Sequence, residues 1–306
     1  MRQAEATLPE HHDHLSTLTR PPTSEWRRLG RALIGSRTGL LGVAIMLLIV
    51  FSAILAPRIA PMSPAVQEIT HSFAAPTWQI GVPYMLGADH LGRDLFSRIV
   101  FGTRISLLIG LSAVGIAGTL GTMLGLVAGY QGGVLDSIIM RVADLQLSIP
   151  FLILAIAVIG VLGPGLLNLI VVLGITGWVS YSRVVRSEVL SVREREYVLA
   201  AQVLGAKRLR IMLRHVLPNV LPSVIVIASL EVARMILSEA ALSFLGLGVQ
   251  PPTPSWGSMV ADGRNYIATA WWISAFPGAA IFLAVLGINL FGDWLRDTLD
   301  PRLRTR

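Results

Sequence analysis

Few side chains in this 306-residue sequence could react or bind an ion, and the surroundings of most argue against both. Glu231 and Arg234 stand three residues apart inside an apolar run, a spacing that places both on one helix face. A lone charge at mid-bilayer costs at least about 2.5–3.5 kcal/mol, so both are expected to face a cavity or another subunit. A structural ion pair locking two helices is the first reading, and contact with a solute in passage the second. Glu239, nearer the end of that run, either contributes to a gate or reaches the headgroups. Asp136, Arg141 and Asp144 precede another apolar run and read as a solvated or helix-packing network. His11-His12-Asp13-His14 has metal-ligating side chains but lies in a polar tail, and no metal site is assigned to it. His71, His90 and His215 are scattered without ligand spacing. Lys207, the single lysine, is followed by Arg208, so no Gly-x4-Gly-Lys-Ser/Thr phosphate loop is present. With no Ser/His/Asp set and no paired carboxylates, neither a catalytic residue nor a cofactor is expected.

The elements that hold these residues follow from composition. The chain is 53% hydrophobic and 14% charged, where a soluble domain carries about 25% charged residues. Six apolar runs stand out, near Gly39–Leu55, Ile105–Leu126, Leu147–Leu162, Leu166–Val184, Val220–Ile236 and Ile273–Phe291. The third is expected to extend back through Ile138 and Val142. Spanning a hydrocarbon core of about 30 Å takes roughly 20 helical residues, and helices alone satisfy their own backbone there. The expected fold is all-α and integral to the membrane, with six transmembrane helices. Gly163-Pro164-Gly165 turns the third span into the fourth as a tight hairpin. The first run has no small-residue exit motif near Pro57 and reads as a retained anchor.

Charge sets the orientation. With the amino terminus inside, internal segments carry 19 of the 25 Lys and Arg and external ones carry five. Both termini are therefore expected in the cytoplasm. The net charge of +7 is spread beside the apolar runs, which argues for contact with membrane lipids and against nucleic acid. The segments are read as a cytoplasmic tail over 1–37, a first transmembrane helix over 38–56, an external loop over 57–104, a core of five helices over 105–293, and a cytoplasmic tail over 294–306. Trp256 and Trp271-Trp272 read as aromatic-belt anchors. Leu95 and Ile99 set against Arg93, Asp94, Arg98 and Arg104 suggest a helix over Gly92–Gly102 lying in the interface. The sequence has no cysteine, so it can hold neither disulfides nor thiolate metal sites.

The polar stretch from Glu196 to Asn219, between the fourth and fifth runs, is the strongest signal. Tyr197, Ala200, Ala201 and Leu204 recur at helical spacing as a narrow apolar face, and Gly205 can stop that helix. Lys207, Arg210 and Arg214 fall on one side of a second helical turn, and Leu209, Met212 and Val216 on another. Pro218 is expected to end the unit. Small residues permit close approach and suit insertion into a partner's groove, while a basic stripe on anionic lipid is the plainer reading.

Ala200-Ala201, three residues, Gly205, nine residues, then His215-Val216-Leu217-Pro218 resembles the coupling signature of binding-protein-dependent ABC importer permeases. Leu199 and His215 depart from that pattern, and the ending His-x-Leu-Pro-Asn looks like the dipeptide, oligopeptide and nickel subgroup. Leu86–Arg98, and Glu239–Gly248 followed by Pro251-Pro252 and Ser255-Trp256-Gly257, resemble the same subgroup. The resemblance runs from about Trp26 to Leu299 and is closest to the second permease subunit of peptide systems. It implies a type I importer permease fold and a non-catalytic subunit in a bacterial inner membrane. It also implies a second homologous permease, two cytoplasmic ATP-binding subunits and an external substrate-binding protein, which could sit over the helix at Gly92–Gly102. By the same resemblance, Ala200, Ala201, Gly205, Ala206, Leu217, Pro218 and Asn219 form the coupling segment within a loop over 185–218. Peptides are the implied cargo. Nickel, glutathione or another small solute remains open, as does a stand-alone carrier or channel.

Overall fold

The computed structural model describes residues 30 and 32–299. His11 to His14, Pro21-Pro22 and the end of the carboxy-terminal tail lie outside the described residues. In chain order the helices are α1 (Arg37–Ile59), α2 (Leu95–Gln131), α3 (Gly133–Ser148), α4 (Phe151–Leu162), α5 (Leu166–Val192), α6 (Glu196–Val203), α7 (Arg208–Ile211), α8 (Leu217–Phe244), α9 (Trp256–Gly263) and α10 (Trp272–Leu299). Among the described residues, five helical segments are long and apolar enough to cross a membrane, and the bent pair α3–α4, taken as one span, makes a sixth. The all-α, six-span architecture is the expected one.

Small residues bring the central helices together. Gly121, Gly125 and Gly129 recur every fourth residue of α2 and meet α5 along its length. A Cβ on Gly125 would lie 2.5 Å from the Ser182 carbonyl oxygen, and one on Gly129 would lie 2.8 Å from Val189 Cβ. Lipid tails are as apolar as the side chains they would replace, so close backbone approach drives this contact. Gly42 and Gly287 serve α1 and α10 in the same way: a Cβ on Gly287 would lie 2.5 Å from Ile45. Ile109, Ala113, Ala117, Leu169, Leu173 and Leu242 fill the centre between α2, α5 and α8.

Two expectations about elements are corrected. There is no separate interfacial helix over Gly92–Gly102, because α2 begins at Leu95 and runs unbroken for 37 residues. Asp94 starts it, accepting from Ser97 N–H at 2.7 Å, and Arg93 and Arg98 are buried rather than turned to water. The third span also does not continue straight through Ile138 and Val142. The axis turns by 92° between α3 and α4. Pro150 lacks the N–H that would bond the preceding turn and pushes Ile149 into extended backbone, with φ −98° and ψ 123°. The tripeptide Gly163–Gly165 then reverses the chain into α5, as the sequence predicts.

Candidate functional site

The segment after α5 folds as an elbow on the end of the bundle. Its root is tied down by Arg193, whose Nη1 donates to the Gly129 carbonyl near the end of α2 at 2.9 Å. Such terminal carbonyls have no partner inside their own helix. Helix α6 ends in a paired closure: Gly205 N–H donates to Gln202 O at 2.9 Å, and Ala206 N–H to Ala201 O at 3.1 Å. This is the Schellman arrangement, with Gly205 at φ +76° in the left-handed region. Ala201 and Ala206, the two residues that motif brings together, both pack against the bundle.

A π turn over Met212–Val216 joins α7 to α8, with Leu217 N–H bonded to Met212 O. Pro218 explains it. A proline cannot donate and its ring clashes with the carbonyl four residues back, so the helix widens by one residue rather than stopping. Asn219 Nδ2 covers the His215 carbonyl at 2.8 Å. Val198, Ile211, Met212, Val216 and Val220 pack on Leu126, Val185, Val189 and Val192, seating the elbow on α2 and α5.

Of the narrow apolar face, Tyr197, Ala200 and Leu204 are exposed, Leu204 to 86%, while Ala201 and Val198 pack on the bundle. Two details of the sequence reading are corrected here. Leu209 is exposed while Met212 and Val216 are buried. Pro218 does not end the unit but sits in the first turn of α8. The inward face is chosen by the angle at which the elbow leaves α5, which local spacing does not encode, and the π turn is what carries the helix past Pro218. Outward, Val203, Leu204 and Leu209 form an apolar surface beside the exposed Lys207, Arg208, Arg210 and Arg214.

Within α8, Arg234 Nη1 meets Glu231 Oε1 at 3.0 Å and Ser180 Oγ of α5 at 3.3 Å. Glu239 does not reach headgroups. It is fully enclosed, accepting from Ser243 Oγ at 2.6 Å and Ser255 Oγ at 2.8 Å. Trp256 is no belt anchor either: it is buried, with Nε1 donating to the Ile99 carbonyl at 3.1 Å. Asp136 forms a two-bond pair with Arg186 at 2.5 and 2.6 Å, and Asp144 pairs with Arg183 at 2.6 Å.

At the opposite end, the loop before α2 is nailed down by charge. Asp89 accepts from the backbone N–H groups of Leu91 and Arg93 and from the Arg93 and Arg98 guanidiniums. Both arginines also reach Asp262 of α9, at 3.2 and 3.1 Å. Burial pushes the Asp89 carboxyl up, but Arg98, Arg93 and the two backbone donors outweigh it and hold it below the usual carboxylate range. Burial, then the hydrogen bond to Glu68, pushes the nearby Tyr84 hydroxyl up to about 12. Asp89, His90 and Asp262 bring potential ligand atoms within 4.8 Å of one another. The two arginines already neutralise both carboxylates, so this is an ion cluster rather than a metal centre.

Residues 121–305 match the family described as binding-protein-dependent transport system inner membrane component. Residues 24–76 match the N-terminal TM domain of oligopeptide transport permease C. A di/tripeptide transport system permease protein DppC of Pseudomonas aeruginosa is 48% identical over 86% of this chain and 88% of its own. The chain belongs to the binding-protein-dependent permease family. A probable D,D-dipeptide transport system permease protein of Escherichia coli is 42% identical, covering 92% of this chain and 94% of its own. An inward-facing structure of the MetNI methionine ABC transporter shares the fold at a TM-score of 0.56 and 19% identity, over 67% of this chain and 97% of that one.

In this permease the motif residues have separable physical jobs. Gly205 supplies the left-handed turn, Ala201 and Ala206 close it, and Pro218 and Asn219 shape the junction to α8. The partners Gly129 of Arg193 and Asp262 of Arg93 and Arg98 could not be read from the sequence, being 64 and more than 160 residues distant from the residues they hold. The four-residue spacing of Asp89 and Arg93 was the local signal.

Proposed function

We propose that this permease forms half of the transmembrane pathway of an ATP-driven importer of di- and oligopeptides, and that the elbow is where the motor subunits grip it. A second homologous permease completes the path, two ATP-binding subunits engage the elbow, and an external binding protein delivers substrate. Both termini and the elbow lie on the cytoplasmic side, as the Arg and Lys distribution requires. Ala200, Ala201, Gly205, Ala206, Leu217, Pro218 and Asn219 carry the coupling by fixing the elbow's shape.

One observation carries this reading. The elbow is fastened to the bundle by Arg193 and a valine-rich inner face, yet displays Val203 and Leu204 almost fully exposed. A segment held rigid on one side and apolar on the other suits insertion into a partner's groove. ATP-driven closure of the motor pair would then move the elbow as a lever and tilt the spans, and hydrolysis would reset them. The chain has no native cysteine, so Leu204→Cys gives a single cross-linking position. In membranes holding the whole transporter it is expected to link to an ATP-binding subunit, with a yield that changes on adding ATP. Failure to link under any nucleotide condition would remove the coupling role.

A further inference from the structure

The pair inside α8 is not built as a lock. Asp136 and Arg186 show what a lock looks like in this protein, with both carboxylate oxygens and two guanidinium nitrogens engaged. Arg234 spends only Nη1 on Glu231 and Ser180. A guanidinium has five N–H donors, so most of its capacity is unused. Glu231 Oε2 and Tyr181 Oη, both buried, have no partner among the described residues. The Arg234 side chain is 50% exposed while that of Glu231 is 10% exposed.

Depth makes this exposure informative. Arg234 lies ten residues from the Phe244 end of α8, about 15 Å along the axis, which is near the middle of a bilayer core. Facing lipid there is costly, so the free side of the guanidinium faces an aqueous path, a charged ligand or the second permease. Resting on the peptide-importer reading above, we propose that Arg234 is a substrate-contacting residue of the translocation path that takes the carboxylate of a peptide in transit. A planar guanidinium with free, parallel N–H groups matches a carboxylate by two bonds at once. Glu231 and Ser180 hold it from one side through a single nitrogen and leave the other edge open. Glu231 also keeps the unloaded site neutral, so that a weakly held carboxylate can leave again.

The test uses the complete transporter in proteoliposomes with saturating binding protein, and L-alanyl-L-alanine and its C-terminal amide as probes. Arg234→Gln is expected to lower maximal uptake of the dipeptide at least tenfold, and Arg234→Lys, which keeps the charge but not the planar fork, to restore it only in part. Loss on the amide should be under about twofold in the Gln variant. Subunit co-purification and ATP turnover stimulated by loaded binding protein should not change. Unchanged dipeptide uptake in Arg234→Gln overturns the proposal, as does an equal loss on acid and amide. Loss of the second permease on purification assigns Arg234 to the subunit contact instead. Absence of ATP-dependent dipeptide uptake by the wild type would sink the peptide-importer reading itself, a different failure.

Discussion

Gly205 is constrained by backbone angle and not by space, since a Cβ there meets nothing within 4 Å. Substitutions should therefore rank by their tolerance of φ +76°. Valine pays about 1–2 kcal/mol in the left-handed region, a factor of about 5–30 in the population of the closed elbow, whereas asparagine adopts that region readily. Uptake by Gly205→Val should fall by a factor in that range and Gly205→Asn should stay near wild type, measured at equal membrane abundance. Asp89 gives a second expectation. Its carboxyl titrates below the ordinary value of 3.8, so its stabilising effect is complete above about pH 4 and is lost as pH falls through the lower folded value. Unfolding followed by tryptophan fluorescence should steepen only in that acid window, and Asp89→Asn should flatten it. Removing one partner of a buried pair costs roughly 3–5 kcal/mol, and Asp262 should hold the loss near the lower end. That Gly205 stops α6 was legible in the sequence because such a closure is local, whereas the pairing of Ala201 with Ala206 was not singled out. The role of Asp89 was hidden because the second acceptor of its two arginines, Asp262, comes from α9.

Among the helices, the contact between α2 and α5 depends on having almost nothing at its surface. Gly125→Val would place its Cβ 2.5 Å from the Ser182 carbonyl oxygen, and backbone cannot yield as a flexible side chain can. The expected loss is about 1–3 kcal/mol, read as a lower melting temperature in detergent, while Gly115→Val, which meets nothing within 4 Å, should be neutral. Span number and type were plain in the sequence, since long apolar runs leave few alternatives. Span ends were not. The start of α2 carries Arg98 and Arg104, which hydropathy reads as outside the span, yet Arg98 is buried by a counter-ion supplied from the preceding loop. The break at Pro150 was visible as a residue but not as an angle. A proline marks where a helix can bend, while the packing around it decides how far.

For the molecule as a whole, the distribution of Arg and Lys makes a claim about sidedness that labelling can check. Single cysteines replacing Ile80, in the loop before α2, and Leu204, in the elbow, are both well exposed. An impermeant maleimide added to intact cells should modify the first and spare the second, and inverted vesicles should reverse the result. The opposite pattern would invert the topology and move the elbow away from any cytoplasmic motor. Helix α2 adds a mechanical corollary. It has no proline and extends about 55 Å, from the arginine cluster at one face to the carbonyl that Arg193 grasps at the other. A strut of that kind does not choose which end speaks: a protein seated over the charged loop would lean on the same beam that a motor gripping the elbow would push. News of a docked, loaded receptor and the stroke that answers it can share one element, with no relay of side chains between them.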